Sequence, residues 1–408
     1  MIYINLNKIP WKHSQKISDS EKLILKTLFI VFFIQFCITT INFYFSFPNN
    51  YVWGEIFIKY TDGIVRRGLI GTLLYSLANF IDIQFFWTFF IAIIYIIFFI
   101  SAYKYLIDTV SPFFTALLFF SPGLFAFHIK DQGLYGRKDI LVLVLLGLAI
   151  ILAGKMIRTQ MPSWRNYLII FICYCTSFLI HEITIFFSLL PAILVIRASK
   201  KKGLCIALIT FIFIVSVAFA VLFQGSASMR NAMFHDWQNT ISSFTEPGGM
   251  KFIGESITAH EGRPLPWLKI YSLRVSYVAA WLLTLAPVLL LFYTYRCHTI
   301  CISVIGRLLT YISYLCALFP AVTLTFLIND FGRIISYSCT IFLFFIIIIL
   351  KIYRLSRERK RIIQKLNFDN IPVFIIFLYY ITSWKLVHYV ALGSKASIIS
   401  YTFEVRAI

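Results

Sequence analysis

Six short strings in this chain set cations, carboxylates and histidines inside otherwise apolar sequence. The first is Thr61-Asp62-Gly63-Ile64-Val65-Arg66-Arg67-Gly68. An arginine fork matches two phosphate oxygens and stays charged, and glycine lets backbone approach a ligand closely. The bland alternative is an interfacial arginine pair reaching for lipid headgroups. The second, from Lys130-Asp131 to Tyr135-Gly136-Arg137-Lys138-Asp139, offers Arg137 and Lys138 to an anion at a helix N-terminus, with Asp139 as N-cap. The third, His181-Glu182, lies between two short apolar stretches, where ionisable groups are costly. It reads as a base or as a pair tying a hairpin. A zinc-protease signature is excluded because Ile185 stands where a second histidine is required.

The remaining three strings sit in polar connections. Met229-Arg230-Asn231 and His260-Glu261-Gly262-Arg263 belong to one long loop, where solvated charge is the default. Asn329-Asp330-Phe331-Gly332-Arg333 forms a turn between apolar stretches, in which Asp330 and Arg333 can clasp each other. The kinase-like Asp-Phe-Gly within it lacks any glycine-rich nucleotide loop.

The elements that must position these residues are membrane helices. Hydrophobic residues make up 60% of the 408 and charged residues 13%. The mean hydropathy is +0.84, far outside the soluble range. No alternating barrel pattern is present, which leaves an all-α polytopic membrane protein. About eleven transmembrane helices are predicted, over 27–46, 84–103, 112–129, 139–155, 166–180, 183–197, 204–223, 271–293, 307–328, 335–351 and 372–391. They form a single transmembrane domain. The basic N-terminal stretch precedes a full-length span without a small-residue cleavage site, so the first span is expected to be an uncleaved anchor.

A cytoplasmic N-terminus makes the loops alternate consistently. It places 22 of the 37 Lys and Arg, but only 5 of the 17 acids, on the inner side. The net charge of +20 is then mostly the positive-inside rule, and nucleic acid has no domain to bind. Inside lies the basic loop 352–371, a lipid-facing anchor. Outside lie 47–83, whose stretch Leu69–Ile81 reads as an interfacial helix, and the large loop 224–269. All six strings fall on that outer face. The eight cysteines lie within or beside spans and read as buried and inert.

The span pattern, the large late outer loop and the outer arginines resemble surface-polysaccharide polymerases of the Wzy type. The strings that carry the resemblance are Asp-Gly-Ile-Val-Arg-Arg-Gly-Leu-Ile-Gly (62–71), Gly-Arg-Lys-Asp-Ile-Leu (136–141), His181-Glu182 and Asp-Phe-Gly-Arg (330–333). The first outer loop also resembles that of polyprenyl-phosphate-dependent membrane glycosyltransferases, where an acid on that loop is catalytic. Asp62 and Glu55 match that acid, although the paired acid motif of the class is absent. The resemblance implies a bacterial inner-membrane glycosyltransferase joining polyprenyl-diphosphate-linked oligosaccharides into a surface polysaccharide such as O-antigen. It would act among membrane lipids, alongside a flippase and a chain-length regulator of the same pathway. Expected proton-handling residues are Asp62, His181, Glu182 and His260. Expected diphosphate-binding residues are Arg66, Arg67, Arg137, Lys138, Arg230, Arg263, Asp330 and Arg333. No cofactor is called for, and no cluster demands a metal, although a divalent ion fits the same chemistry. A lipid-phosphate-sugar glycosyltransferase, a transporter or flippase, and an assembly scaffold remain as alternatives.

Overall fold

The computed structural model describes residues 18–48, 51–131, 133–159, 163–181, 184–199, 202–254, 271–294, 331–353 and 368–382, and every element among them is helical. Helix α1 (Asp19–Phe45) opens with a capping box, in which Ser18 accepts from the Glu21 N–H and Glu21 reaches back to Ser18. At 1.5 Å per residue it is about 40 Å long, enough to cross a bilayer. The short α2 (Tyr51–Ile56) and α3 (Leu69–Leu77) follow, then α4 (Ile83–Ile107), started by the Asp82 cap. Next come α5 (Pro112–Phe119), α6 (Phe127–Lys130), α7 (Asp139–Thr159) and α8 (Trp164–Ile180). They lead to α9 (Thr184–Phe187), α10 (Leu189–Ala198), α11 (Lys202–Leu222) and α12 (Ala227–Thr240). A 3-10 turn spans Gly248–Phe252, and the last described helices are α13 (Tyr271–Thr294), α14 (Phe331–Tyr353) and α15 (Ile371–Thr382).

Five helical stretches are long and apolar enough to span a membrane: Asp19–Phe45, Ile83–Ile107, Asp139–Thr159, Cys205–Leu222 and Arg333–Lys351. Trp164–Ile180, Ala279–Thr294 and Ile371–Thr382 are shorter apolar helices. These features make the chain a helical membrane protein. The bundle is layered by burial. The span in α14 is 94% buried and packs on α7 and α13, whereas that in α11 is only 6% buried. Large apolar side chains such as Phe33, Phe85, Phe89 and Phe211 face outward, which costs nothing when the surroundings are hydrocarbon. Between α1, α4 and α5 the packing is aromatic: Phe29 meets Tyr103 edge-on at 4.6 Å, and Phe32 meets Phe119 at 5.1 Å.

Two predicted spans are interrupted. The stretch 112–129 divides into α5 and α6, because Pro122 and Gly123 cannot continue a helix. The stretch 183–197 divides at Ser188, where Pro191 lacks an N–H and crowds the carbonyl of Phe187. The predicted span 307–328 and the basic run 354–365 lie outside the described residues.

The two long connections are built against each other at the end of the bundle where α7 and α14 begin and α8 ends. Buried Trp237 of α12 stacks on Phe57 at 4.2 Å and donates its indole N–H to the Phe57 carbonyl at 2.8 Å. The Arg66 N–H donates to the Phe223 carbonyl at 2.8 Å. Pro247-Gly248-Gly249 lies on α2 so closely that a Cβ on Gly54 would drive into the Pro247 carbonyl, and one on Gly249 into Glu55. In α3, Ile70, Gly71 and Leu74 are buried while Leu73 and Leu77 are exposed, the two-faced pattern expected of it.

Trp237 therefore joins the two connections by both area and a hydrogen bond. Trp237→Ala is expected to cost about 3–5 kcal/mol. Trp237→Phe keeps the stack and loses only the N–H bond, about 1 kcal/mol. Thermal unfolding in detergent micelles checks the order; equal midpoints for the two variants would contradict it.

Candidate active site

Glu55 is the carboxylate around which the site forms. It lies in α2, which is held to α1 by Trp53, stacked on Phe43 at 4.8 Å and edge-on to Phe47 at 4.8 Å. That packing turns Glu55 inward, where it is 1% exposed. Its Oε1 lies 3.3 Å from Arg67 Nη1 and 3.5 Å from His181 Nε2, and its Oε2 lies 3.7 Å from Arg137 Nη1. A second buried carboxylate, Asp139 at the start of α7, completes the group. Its Oδ1 is 3.6 Å from the same His181 Nε2, and its Oδ2 is 3.1 Å from Arg333 Nη1. One imidazole nitrogen thus stands between two carboxylates contributed by residues 84 apart in the chain.

Each cation is held by a different piece of the fold. The Arg137 Nε donates to the Gly133 carbonyl at 2.9 Å, and its guanidinium lies 4.8 Å from the centre of the Tyr51 ring. Arg333 enters from the first turn of α14, and His181 caps α8, its N–H donating to the Ser177 carbonyl at 3.0 Å. Lys138, fully buried, donates to the carbonyls of Arg67 at 2.7 Å and Glu55 at 3.3 Å. It fastens the two residues of the first connection that supply a guanidinium and a carboxylate. Arg67 itself has φ of 68°, a left-handed backbone rare for a non-glycine residue and costing about 1–3 kcal/mol.

Among the described residues the group holds four cations, Arg67, Arg137, Lys138 and Arg333, and two carboxylates. Burial alone pushes the Glu55 carboxyl up, but the imidazole of His181 beside it and the guanidinium groups of Arg137, Arg67 and Arg333 hold it well below the usual carboxylate range. For Tyr51, burial and then the Glu55 charge push the phenol up, so it stays a neutral donor. The arrangement sets one imidazole between two carboxylates and brings guanidinium groups to them from separate parts of the chain, the kind of cationic setting that binds phosphate oxygens.

Five expected residues thus converge: Arg67, Arg137, Lys138, His181 and Arg333. Others stand elsewhere. Asp62 is committed to a second cluster, where buried Lys59 bonds Asp62 at 2.6 Å, Asp236 of α12 at 2.5 Å and the Thr61 hydroxyl. The Lys59 ammonium lies 4.2 Å from the Tyr75 ring centre. Burial pulls that ammonium down, but the bonds from Asp236 and Asp62 outweigh it and raise it above its ordinary value. Lys59 therefore joins the two connections through Asp236 and holds the Asp62 carboxylate beside it. The Arg66 N–H serves the contact with Phe223, and Arg230 reaches Asn231 at 3.4 Å and the Lys251 carbonyl at 3.3 Å. Glu182, His260, Arg263 and Asp330 lie outside the described residues.

Arg333 pairs with Asp139, 194 positions away, and the clasp with Asp330 suggested by the sequence lies outside the described residues. Lys138 also bonds two backbone carbonyls. The sequence reading underrated Glu55 and Asp139. The signal for Glu55 was an acid inside Tyr-Val-Trp-Gly-Glu-Ile-Phe-Ile, where nothing local could neutralise it. Among the described residues no three His, Cys, Asp or Glu side chains converge as metal ligands do. The described cysteines, 37, 173, 175, 205 and 339, carry free thiols.

A depressed Glu55 has a signed consequence for stability. Its contribution is complete above 4.5, the ordinary value, and fades as pH falls from there towards the lower folded value. Glu55→Gln leaves buried cations underneutralised and is expected to cost about 3–5 kcal/mol near neutrality. Thermal midpoints of both proteins on acidification check this: the gap should narrow below 4.5. A gap that stays constant or widens would contradict the ionised, paired Glu55.

Comparison with protein-family models, with curated proteins and with solved structures returned no match.

Proposed function

We propose that the chain is a bacterial inner-membrane glycosyltransferase that polymerises lipid-linked oligosaccharides at the periplasmic face. The observation that carries this reading is the meeting of Arg67, Arg137 and Arg333 with the buried carboxylates of Glu55 and Asp139 on either side of His181. A diphosphate leaving group brings negative charge, and fixed guanidinium groups in a poorly solvated site stabilise it as the bond breaks.

In this reading the bond between the anomeric carbon of the growing chain and its diphosphate oxygen breaks. The electron pair leaves with the polyprenyl diphosphate, whose charge is met by Arg67, Arg137 and Arg333. A hydroxyl of the next lipid-linked unit attacks the anomeric carbon, and its proton passes to His181, which Glu55 and Asp139 hold in place. The diphosphate ester itself supplies the driving force. A partnering flippase would deliver the units, and a chain-length regulator would limit the product.

A second reading has a specific observation behind it. Glu55 lies on the first connection, where the polyprenyl-phosphate-dependent glycosyltransferases carry their catalytic acid. A monophosphate-linked single sugar would then be the donor.

Deletion of the gene in the native host, with plasmid complementation, tests both. Electrophoresis of surface polysaccharide should lose its long ladder and keep the single repeat unit. Loss of even that unit would favour the single-sugar enzyme, and an unchanged ladder would overturn both. Arg67→Gln, at a partly exposed residue, should reduce polymer by about a hundredfold or more, and Arg333→Gln should do the same per unit of folded protein. Full polymer from either variant would remove the cationic site from the mechanism.

A further inference from the structure

We propose that Tyr51 seats the pyranose ring bonded directly to the lipid diphosphate, and so sets which lipid diphosphates the charged site accepts. This inference rests on the reading of that site given above and adds the contact that recognises the sugar. Glu55, Arg137, Lys138, Asp139, His181 and Arg333 are all buried. Two residues beside them keep contact with the outside: Tyr51 is 37% exposed, and the Arg67 side chain 19%. Among the described residues of the group, a ligand arriving from outside therefore meets Tyr51 and Arg67 first.

The two side chains suit different parts of a ligand. Arg67 offers a planar fork to phosphate oxygens. Tyr51 offers an aromatic face and a phenol that burial and the Glu55 charge keep protonated. A pyranose has a face of C–H bonds, slightly positive and drawn to the negative face of an aromatic ring, and a rim of hydroxyls that accept from a phenol. The geometry sets these two positions side by side. Tyr51 stands one turn before Glu55 on α2, so both lie on one face of that helix. The Arg137 guanidinium lies 4.8 Å from the Tyr51 ring centre and 3.7 Å from Glu55, and Arg67 lies 3.3 Å from the same carboxylate. A ring bound at Tyr51 is thus the immediate neighbour of an anion bound at Arg137 and Arg67, as a sugar is of its diphosphate. The second connection fixes where Tyr51 stands, because a Cβ on Gly249 would come within 2.9 Å of the Tyr51 carbonyl.

The test is native mass spectrometry of the full chain released from detergent, titrated with a polyprenyl diphosphate and with the same lipid carrying one N-acetylglucosamine. Wild type should bind the sugar-bearing lipid about tenfold tighter than the bare one. Tyr51→Leu should bring that ratio to about one while changing the bare affinity by less than about threefold, and Tyr51→Phe should keep most of the preference. On binding to wild type the sugar C–H proton resonances should also shift upfield, as they do over an aromatic ring, a readout that serves if Tyr51→Leu folds poorly. Equal weakening of both lipids in Tyr51→Leu would make the tyrosine a brace for Arg137 alone and overturn the proposal. Equal binding of the two lipids to wild type, or sugar resonances that do not move, would overturn it and leave the charged site standing. Failure of both lipids to bind wild type would overturn the reading of the charged site itself.

Discussion

The cost of burying charge in a membrane protein governs the design of this molecule. A lone carboxylate or guanidinium removed from water loses many kcal/mol of solvation, and only close partners with good geometry return it. Glu55 and Asp139 could not be buried separately. They are tolerated because Arg67, Arg137 and Arg333 surround them and because His181 lies 3.5 and 3.6 Å from the two. The partners come from α2, the turn before α7, the end of α8 and the start of α14. The ion group therefore dictates that these four pieces meet, and the helices supply the rigid frame that lets them.

The connections outside the bundle serve the same end. Lys138 holds the backbone of Glu55 and Arg67, and the left-handed Arg67 shows that local strain is accepted to aim a guanidinium. Above them the Pro247-Gly248-Gly249 turn presses on Gly54 and Glu55, with contacts that only glycine permits. The Lys59 cluster and the Trp237 stack clamp the same two connections from the side. Water is thereby kept from the charges, which strengthens every electrostatic interaction among them.

Much of this was legible in the sequence and some was not. Apolar runs with a period-free interior announced spans, and the cations of Arg66-Arg67, Arg137-Lys138 and Arg333 stood out because they broke the expected charge distribution. Their partners did not stand out. Asp139 looked like a helix cap because a cap and a buried counter-ion occupy the same first turn. Glu55 looked incidental because its three partners are 12, 82 and 126 positions away, at residues 67, 137 and 181. Asp62 stood out for the arginines after it, and its ion pair with Lys59, three residues back, did not. Spacing along the chain reports local geometry, and ion pairing between loops and helix ends is not local. The breaks at Pro122-Gly123 and Pro191 were readable in residue type but were outvoted by the apolar runs around them.

The central claim, that this charged group receives the phosphate of a lipid, is tested most directly by phosphorus-31 NMR on the protein reconstituted in bilayers with a polyprenyl diphosphate. A distinct bound resonance should appear for wild type, shift as the neighbouring guanidinium groups engage the phosphates, and vanish in the Arg333→Gln protein. A folded wild-type protein that leaves the phosphorus spectrum of the lipid unchanged would contradict the account.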